Sequence, residues 1–433
     1  QQAQGIAAEK KEFQEYKDAR DKEFTAFLKA NWKAVDIVKG DVRDEDPKPV
    51  VMPVAPEPPA PPVAIQPKAE LPVKQPVKPP VKISVPEPVV KKPVAAPVTK
   101  VKGQLLVIDF YGKQVRLYYD GRLKQNISGA LDKEAISNYW SALSKTDYDD
   151  LTAQLQGQKE SLQLNDWAYA SLINQVASKI NQNRKNESAL LSWFLLTKSG
   201  YKARVAYDRS NVYLLLPSKQ EMFDVPYFTF SEKRYYTVSF DGKKQKPGQV
   251  YTYDGEYPQT PKVFDMRISS VVASSDQPER RHLSFEFEGK SYNVDVTYDR
   301  GRVKFFSTYP QLNLDLYFGS EVYKMTATPL QKQLAAHMQG MSEQQAVNFL
   351  LRFVQTSLKY ETDDQQFGEE NYLFPEETLY YPYSDCEDRA VLFAWLVRSL
   401  LNLDVVGLDY PGHVAAAVRF NEVVNGDGID YKG

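Results

Sequence analysis

The sequence predicts a multi-domain α+β protein, and three observations carry that prediction. The chain has 433 residues, 42% hydrophobic and 12% aromatic, enough apolar material for two or three ordinary domains once any linker is set aside. Seventeen of its 28 prolines fall between Pro47 and Pro97, a stretch that cannot build a core. On either side of it, segments with apolar residues three and four apart mix with segments that alternate apolar and polar, so helices and strands share one chain.

The elements follow in order. Residues 1–46 contain "EKKEFQEYKDARDKEFTAFLKANWKAV", where Phe13, Tyr16, Phe24, Phe27, Leu28 and Trp32 stand among many charges; the spacing predicts an amphipathic helix. Such a helix is marginal in water unless its apolar face is covered, either by a protein partner or by the chain's own domains. Residues 47–99, with phrases such as "PEPPAPPV" and "KQPVKPPVK", are expected as a polyproline-rich linker, because proline fixes φ and removes a donor. Its role is a solvated tether, with docking of a proline-binding partner as the alternative.

Beyond the linker, "QLLVIDF" and "VRLYYDG" read as two strands around a turn, followed by helices between about Ser137 and Phe194 that end at Gly200. Residues 104–216 form one predicted domain. From about Val225 to Phe318 the pattern is almost wholly strand, with "YYTVSFDGKK", "HLSFEFEGKSYNVDVTYD" and "LNLDLYF", so 217–325 are expected as a β-sandwich-like domain. Residues 326–433 return to helix. Ser342 and Gln345 predict a capping box, and "LDVVGLDYPGHVAAAVRF" reads as two strands joined at Pro411-Gly412.

Charge excludes some functions. With 54 basic and 56 acidic residues and no basic block, no nucleic acid is expected as a partner. No apolar run reaches the roughly 18 residues of a membrane span, so no transmembrane segment is expected. The chain starts at Gln1, which fits a processed secretory chain and equally a trimmed one. A single cysteine excludes internal disulfides. With scattered histidines it offers no ligand cluster, so no metal and no cofactor are expected.

That cysteine, Cys386, sits in "YPYSDCEDRAVLFAWL". Ser384 and Glu387 predict a second capping box, placing Cys386 in the first helical turn, where free N–H groups and the macrodipole favour a thiolate. Asp385, Glu387 and Asp388 oppose this unless they turn outward or pair with Arg389. A cation is therefore needed, and His413, 27 residues on at the head of a strand, is the candidate general base. On spacing alone a lone cysteine in an apolar helix is more often core than catalyst. His282 and His337 lack such a context and are read as surface or structural.

The stretch "SDCEDRAVLFAWLVRSLLNLDVVGLDYPGHVAAAVRF", with the D-C-E-D motif at Asp385 to Asp388 and the G-H at Gly412 and His413, resembles the transglutaminase-like superfamily, whose fold is papain-like. The upstream "FLLRFVQTSLKYETDDQQFGEENYLFPEETLYYPY" resembles an exported, Bacteroides-type subgroup. The resemblance implies a C-terminal transglutaminase-like domain with Cys386 as nucleophile and His413 as base. A third, aspartate member is implied on a following strand. It further implies a peptide or protein substrate and a periplasmic or extracellular location. The family's D-P-T-like turn is missing: only Asp427 and Asp430 follow His413. The domain is therefore expected to be incomplete, its orienting residue beyond Gly433, with Asp430 as the alternative. Tyr383 and Gln366 are expected to line the cleft.

An internal match adds a domain expectation. At an offset of 201, "SALLSWFLLTKSGYKARVAYDRSNVYLLLP" falls on "RAVLFAWLVRSLLNLDVVGLDYPGHVAAAV", pairing Ala189 with Ala390, Lys185 with Cys386 and Val212 with His413. This reads as a degenerate transglutaminase-like domain over 104–216, scaffold without chemistry. The expected function is amide-bond cleavage by a thiol. The alternative is a non-catalytic, tethered scaffold or peptide-binding protein of the cell envelope.

Overall fold

The computed structural model describes residues 2–41, 103–268, 278–410 and 413–424. It is α+β, and the predicted linker 47–99 lies outside the described residues.

Residues on both sides of the proline-rich stretch join one body. Helix α1 (Gln2–Ala30) runs into strand β1 (Trp32–Val35). Phe24 and Leu28 of α1 are buried in the same apolar core as the domain beyond the linker. Phe24 meets the rings of Trp140 and Tyr257 edge-on at 4.8 and 5.2 Å. Asp21 and Lys198 form a buried ion pair, and the Tyr257 hydroxyl donates to Asp21 at 3.0 Å. Phe24 and Leu28 of α1 therefore find their cover within the chain while Phe13 and Tyr16 stay exposed, and the linker does not hold this helix apart as a spacer would.

The next part starts with a hairpin, β2 (Gln104–Phe110) and β3 (Lys113–Tyr119), then helices α2 (Lys133–Leu143), α3 (Tyr148–Ser161), α4 (Asp166–Ile180) and α5 (Lys185–Lys198). Asp132 and Asn165 cap α2 and α4 by accepting from Ala135 N–H and Ala168 N–H. Gly200 has φ +87°, the left-handed conformation that ends a helix just beyond its cap. Strands β4 (Arg204–Tyr207), β5 (Val212–Pro217), β6 (Tyr227–Phe230), β7 (Lys233–Thr237) and β8 (Val250–Tyr253) join β1 in a six-stranded sheet of order β1-β8-β4-β5-β7-β6.

This corrects the β-sandwich-like domain expected over 217–325. Its alternating segments do include strands, but β7 pairs with β5 and β8 with β1 and β4, which start outside that range, and β6 joins the same sheet through β7. The hairpin β9 (Pro278–Phe287) and β10 (Lys290–Asp299) stands apart from that sheet. Its apolar face, Leu283, Phe285, Phe287, Val294 and Val296, packs into a second core with the helices that follow. The segment read as the strand "LNLDLYF" ends in helix α7 (Leu314–Phe318), after α6 (Arg300–Phe306). Alternation over five or six residues cannot by itself separate a short helix from a strand.

The second core also moves the expected boundary at 326 upstream, because the β9–β10 hairpin belongs with α8 (Lys324–His337) and α9 (Glu343–Ser357). The box capping α9 is present: Ser342 Oγ accepts from Gln345 N–H at 3.2 Å and Gln345 Oε1 from Ser342 N–H at 3.1 Å. Then come β11 (Lys359–Tyr360), α10 (Asp363–Gln366), α11 (Pro375–Tyr380), β12 (Tyr383–Ser384), α12 (Cys386–Leu401), β13 (Val405–Tyr410) and β14 (His413–Val418). β13 and β14 pair antiparallel with Tyr410 opposite His413. Pro411 and Gly412 lie outside the described residues.

At the offset of 201, element starts coincide. α5 begins at Lys185 and α12 at Cys386, β4 at Arg204 and β13 at Val405, and β5 at Val212 and β14 at His413. The two units differ in surroundings. β5 also pairs with β7, whereas β14 pairs with β13 alone among the described residues.

Candidate thiol site at the mouth of helix α12

Helix α12 is buried along its first three turns, from Cys386 to Val397. Val391 faces the first core, while Leu392, Phe393, Trp395 and Leu396 face the second. A helix enclosed between two cores holds its N-terminal residues in fixed positions. Its N-cap is Asp385, not Ser384, and the side chain of Asp385 makes no capping bond. Ser384 Oγ instead accepts from Arg389 Nε at 3.1 Å, which corrects the predicted capping box. Cys386 is the first helical residue.

The thiol is 3% exposed. Cys386 Sγ donates to Glu387 Oε2 at 3.0 Å, and α12 packs against β14. Burial pushes the thiol pKa up; the Glu387 and Val414 contacts oppose that rise, and the negative charge of Asp385 adds to it. In this resting geometry Cys386 is a protonated thiol, and it needs a proton acceptor to become a nucleophile.

The acidic neighbours neither turn outward nor pair with Arg389. Asp385, Glu387 and Asp388 are 3%, 0% and 1% exposed. The Arg389 guanidinium is engaged elsewhere: Nη2 donates to the Leu358 carbonyl at 2.8 Å, and the group lies 5.1 Å over the Tyr360 ring. Burial raises the pKa of all three acids, and their mutual repulsion adds to the rise for Glu387 and Asp388. Tyr360 is pushed up to about 12, first by burial and then by Cys386, Asp385 and Glu387.

The other predicted site residues are placed as follows. His413 heads β14 and is half-buried, next in the chain to Val414, whose backbone N–H lowers the thiol pKa. Among the described residues the one histidine–carboxylate pair is His282 with Asp295, at 2.9 Å on the exposed β9–β10 hairpin, so no described carboxylate orients His413. Asp427 and Asp430 lie outside the described residues. Tyr383 is half-buried on β12 and sits opposite Lys359 of β11 in a short parallel pair. Gln366 is half-buried at the end of α10, one turn past Asp363, and no hydrogen bond ties its side chain to Cys386.

Sequence reasoning missed the partners that α10 and the following loop bring to this corner. Asp363, Asp385 and Asp388 each offer a carboxylate oxygen within 4.8 Å of the others, and so do Asp363, Glu370 and Glu387. The run "TDDQQFGEEN" advertises acidity, but acidic runs are usually solvated, and only the fold reveals that Asp363 is buried. Counting histidine and cysteine overlooked carboxylates as possible metal ligands.

Among the described residues no helix is long and apolar enough to cross a membrane. No protein-family model, no curated protein and no solved structure matches this chain.

Proposed function

We propose that the chain is a thiol hydrolase of transglutaminase-like type that cleaves an amide bond of a peptide or protein outside the cytoplasm. The observation that supports this reading best is the packing of α12 against β14, because it sets the strand headed by His413 against the helix that Cys386 opens. In the reaction, His413 takes the thiol proton and the sulfur attacks the amide carbon. The backbone N–H of Cys386 steadies the oxyanion. His413 then returns the proton to the leaving amine, and water releases the acid from the thioester. Hydrolysis is favoured over transfer to an amine, since transfer needs a second, water-excluding site. The exported location rests on the family resemblance alone.

The burial of Cys386 and its raised pKa favour a second reading, a non-catalytic scaffold or peptide-binding protein of the cell envelope. Alkylation separates the two. With iodoacetamide at neutral pH, a nucleophilic Cys386 labels in the folded chain faster than a free thiol does, and His413→Ala slows labelling at least about tenfold. A folded chain that labels only when denatured, with His413→Ala matching the parent, rejects the hydrolase.

A further inference from the structure

We propose that Asp363, Glu370, Asp385, Glu387 and Asp388 form a binding site for a hard divalent cation, calcium in preference to magnesium, behind the mouth of α12. Each of two trios sharing Asp363 presents three oxygens within 4.8 Å of one another, a spacing that within either trio fits an ion at the roughly 2.3–2.6 Å of calcium–oxygen bonds. A second observation points to a ligand. Asp385 Oδ1, Glu387 Oε1 and Asp388 Oδ2 are buried and accept no hydrogen bond, and Glu387 and Asp388 are 0% and 1% exposed.

Carboxylates buried in this way are normally paired or bound to metal. Here the nearest guanidinium, Arg389, is spent on Ser384 Oγ and the Leu358 carbonyl. The other oxygen of Asp388 accepts from Leu373 N–H at 2.8 Å, and Asp363 Oδ2 accepts from Asn371 N–H at 2.7 Å. These bonds hold the carboxylates in place while leaving Asp388 Oδ2 available. Calcium fits better than magnesium because it accepts six to eight oxygens in irregular geometry, whereas magnesium demands a near-ideal octahedron and keeps its waters. The ion would tie residues 363–370 to the start of α12, whether or not Cys386 turns over a substrate.

The test uses the full chain after EDTA treatment. Calcium chloride added to millimolar levels is expected to raise the melting temperature by about 3 °C or more, in a concentration-dependent way, with magnesium chloride doing less. Terbium chloride is expected to give emission under tyrosine excitation, since Tyr360 is close to the acids, and calcium should quench it by displacement. Asp388→Asn keeps an acceptor for Leu373 N–H but loses a ligand charge, so it should fold and lose both responses; Asp363→Asn, which touches both trios, is the second variant. A melting temperature and terbium emission that do not respond in the parent overturn the site, as does a parent-like response in both variants.

Discussion

The Val414 backbone N–H lowers the pKa of the Cys386 thiol, and α12, which Cys386 opens, packs against β14, which His413 heads. Because His413 precedes Val414, a change at the strand head should be felt by the thiol. His413→Gln is expected to slow iodoacetamide labelling of Cys386 at least about tenfold while leaving circular dichroism and melting temperature near those of the parent. Labelling that matches the parent, or a lowered melting temperature with faster labelling of the newly exposed thiol, would assign His413 a packing role instead.

The ion pair between Arg302 and Glu376 should be among the most costly to break. Both side chains are 1% exposed, and the bonds are bidentate, Nε to Oε2 at 2.7 Å and Nη2 to Oε1 at 2.6 Å. Glu376 Oε1 also accepts from Tyr323 N–H at 2.8 Å. Arg302→Met leaves a buried carboxylate uncompensated and is expected to cost about 3–5 kcal/mol, whereas adding Glu376→Gln should recover part of that loss. Urea denaturation of the single and double variants measures both.

Stability should fall as pH rises from about 4.5 to 8, and Glu377 is one identifiable cause. Burial pushes its carboxyl up to about 8, against an ordinary 4.5, opposed by the bond its Oε2 accepts from Phe374 N–H at 3.1 Å. The folded state therefore keeps a proton that the unfolded state has lost, so its contribution is fully present below pH 4.5 and has gone once pH passes 8. Each unit of separation is worth about 1.4 kcal/mol. Glu377→Gln keeps the acceptor for Phe374 N–H and should flatten part of the decline; denaturation midpoints at pH 5 and 8 read the difference.

The first 41 residues should stay attached to the rest without a covalent link. A protease site placed within residues 47–99 and then cut is expected to leave both pieces co-eluting on gel filtration, held by Phe24, Leu28 and the Asp21–Lys198 pair. Leu28 is fully buried, and Leu28→Ala should weaken the association by about 2–5 kcal/mol. Pieces that separate immediately would restore the linker to the role of a spacer.

Local patterns revealed much of this architecture. The Ser342 box, the Gly200 helix stop and the hairpin that places His413 opposite Tyr410 depend on neighbours a few residues away. The six-stranded sheet does not, because β1 pairs with β8 across more than two hundred residues and nothing in either strand names its partner. The site divides in the same way. Cys386 and His413 stand out by residue type, whereas the inward turn of Asp385, Glu387 and Asp388 is decided by packing between two cores. Ser384 lost the capping role that its spacing promised because Arg389 claims its hydroxyl.

The coincidence of α5–β4–β5 with α12–β13–β14 gives the chain an internal control. In the earlier unit the Val212 N–H donates to Asn186 Oδ1 at 2.9 Å, a clasp between strand head and helix mouth, with Lys185 where the later unit has its thiol. Lys185→Cys would create a second thiol on a matched helix start that has valine in place of histidine. Lys185 is exposed while Cys386 is buried, so access alone favours the engineered thiol. A faster Cys386 in the same tube would then measure what the later corner adds to an ordinary helix start.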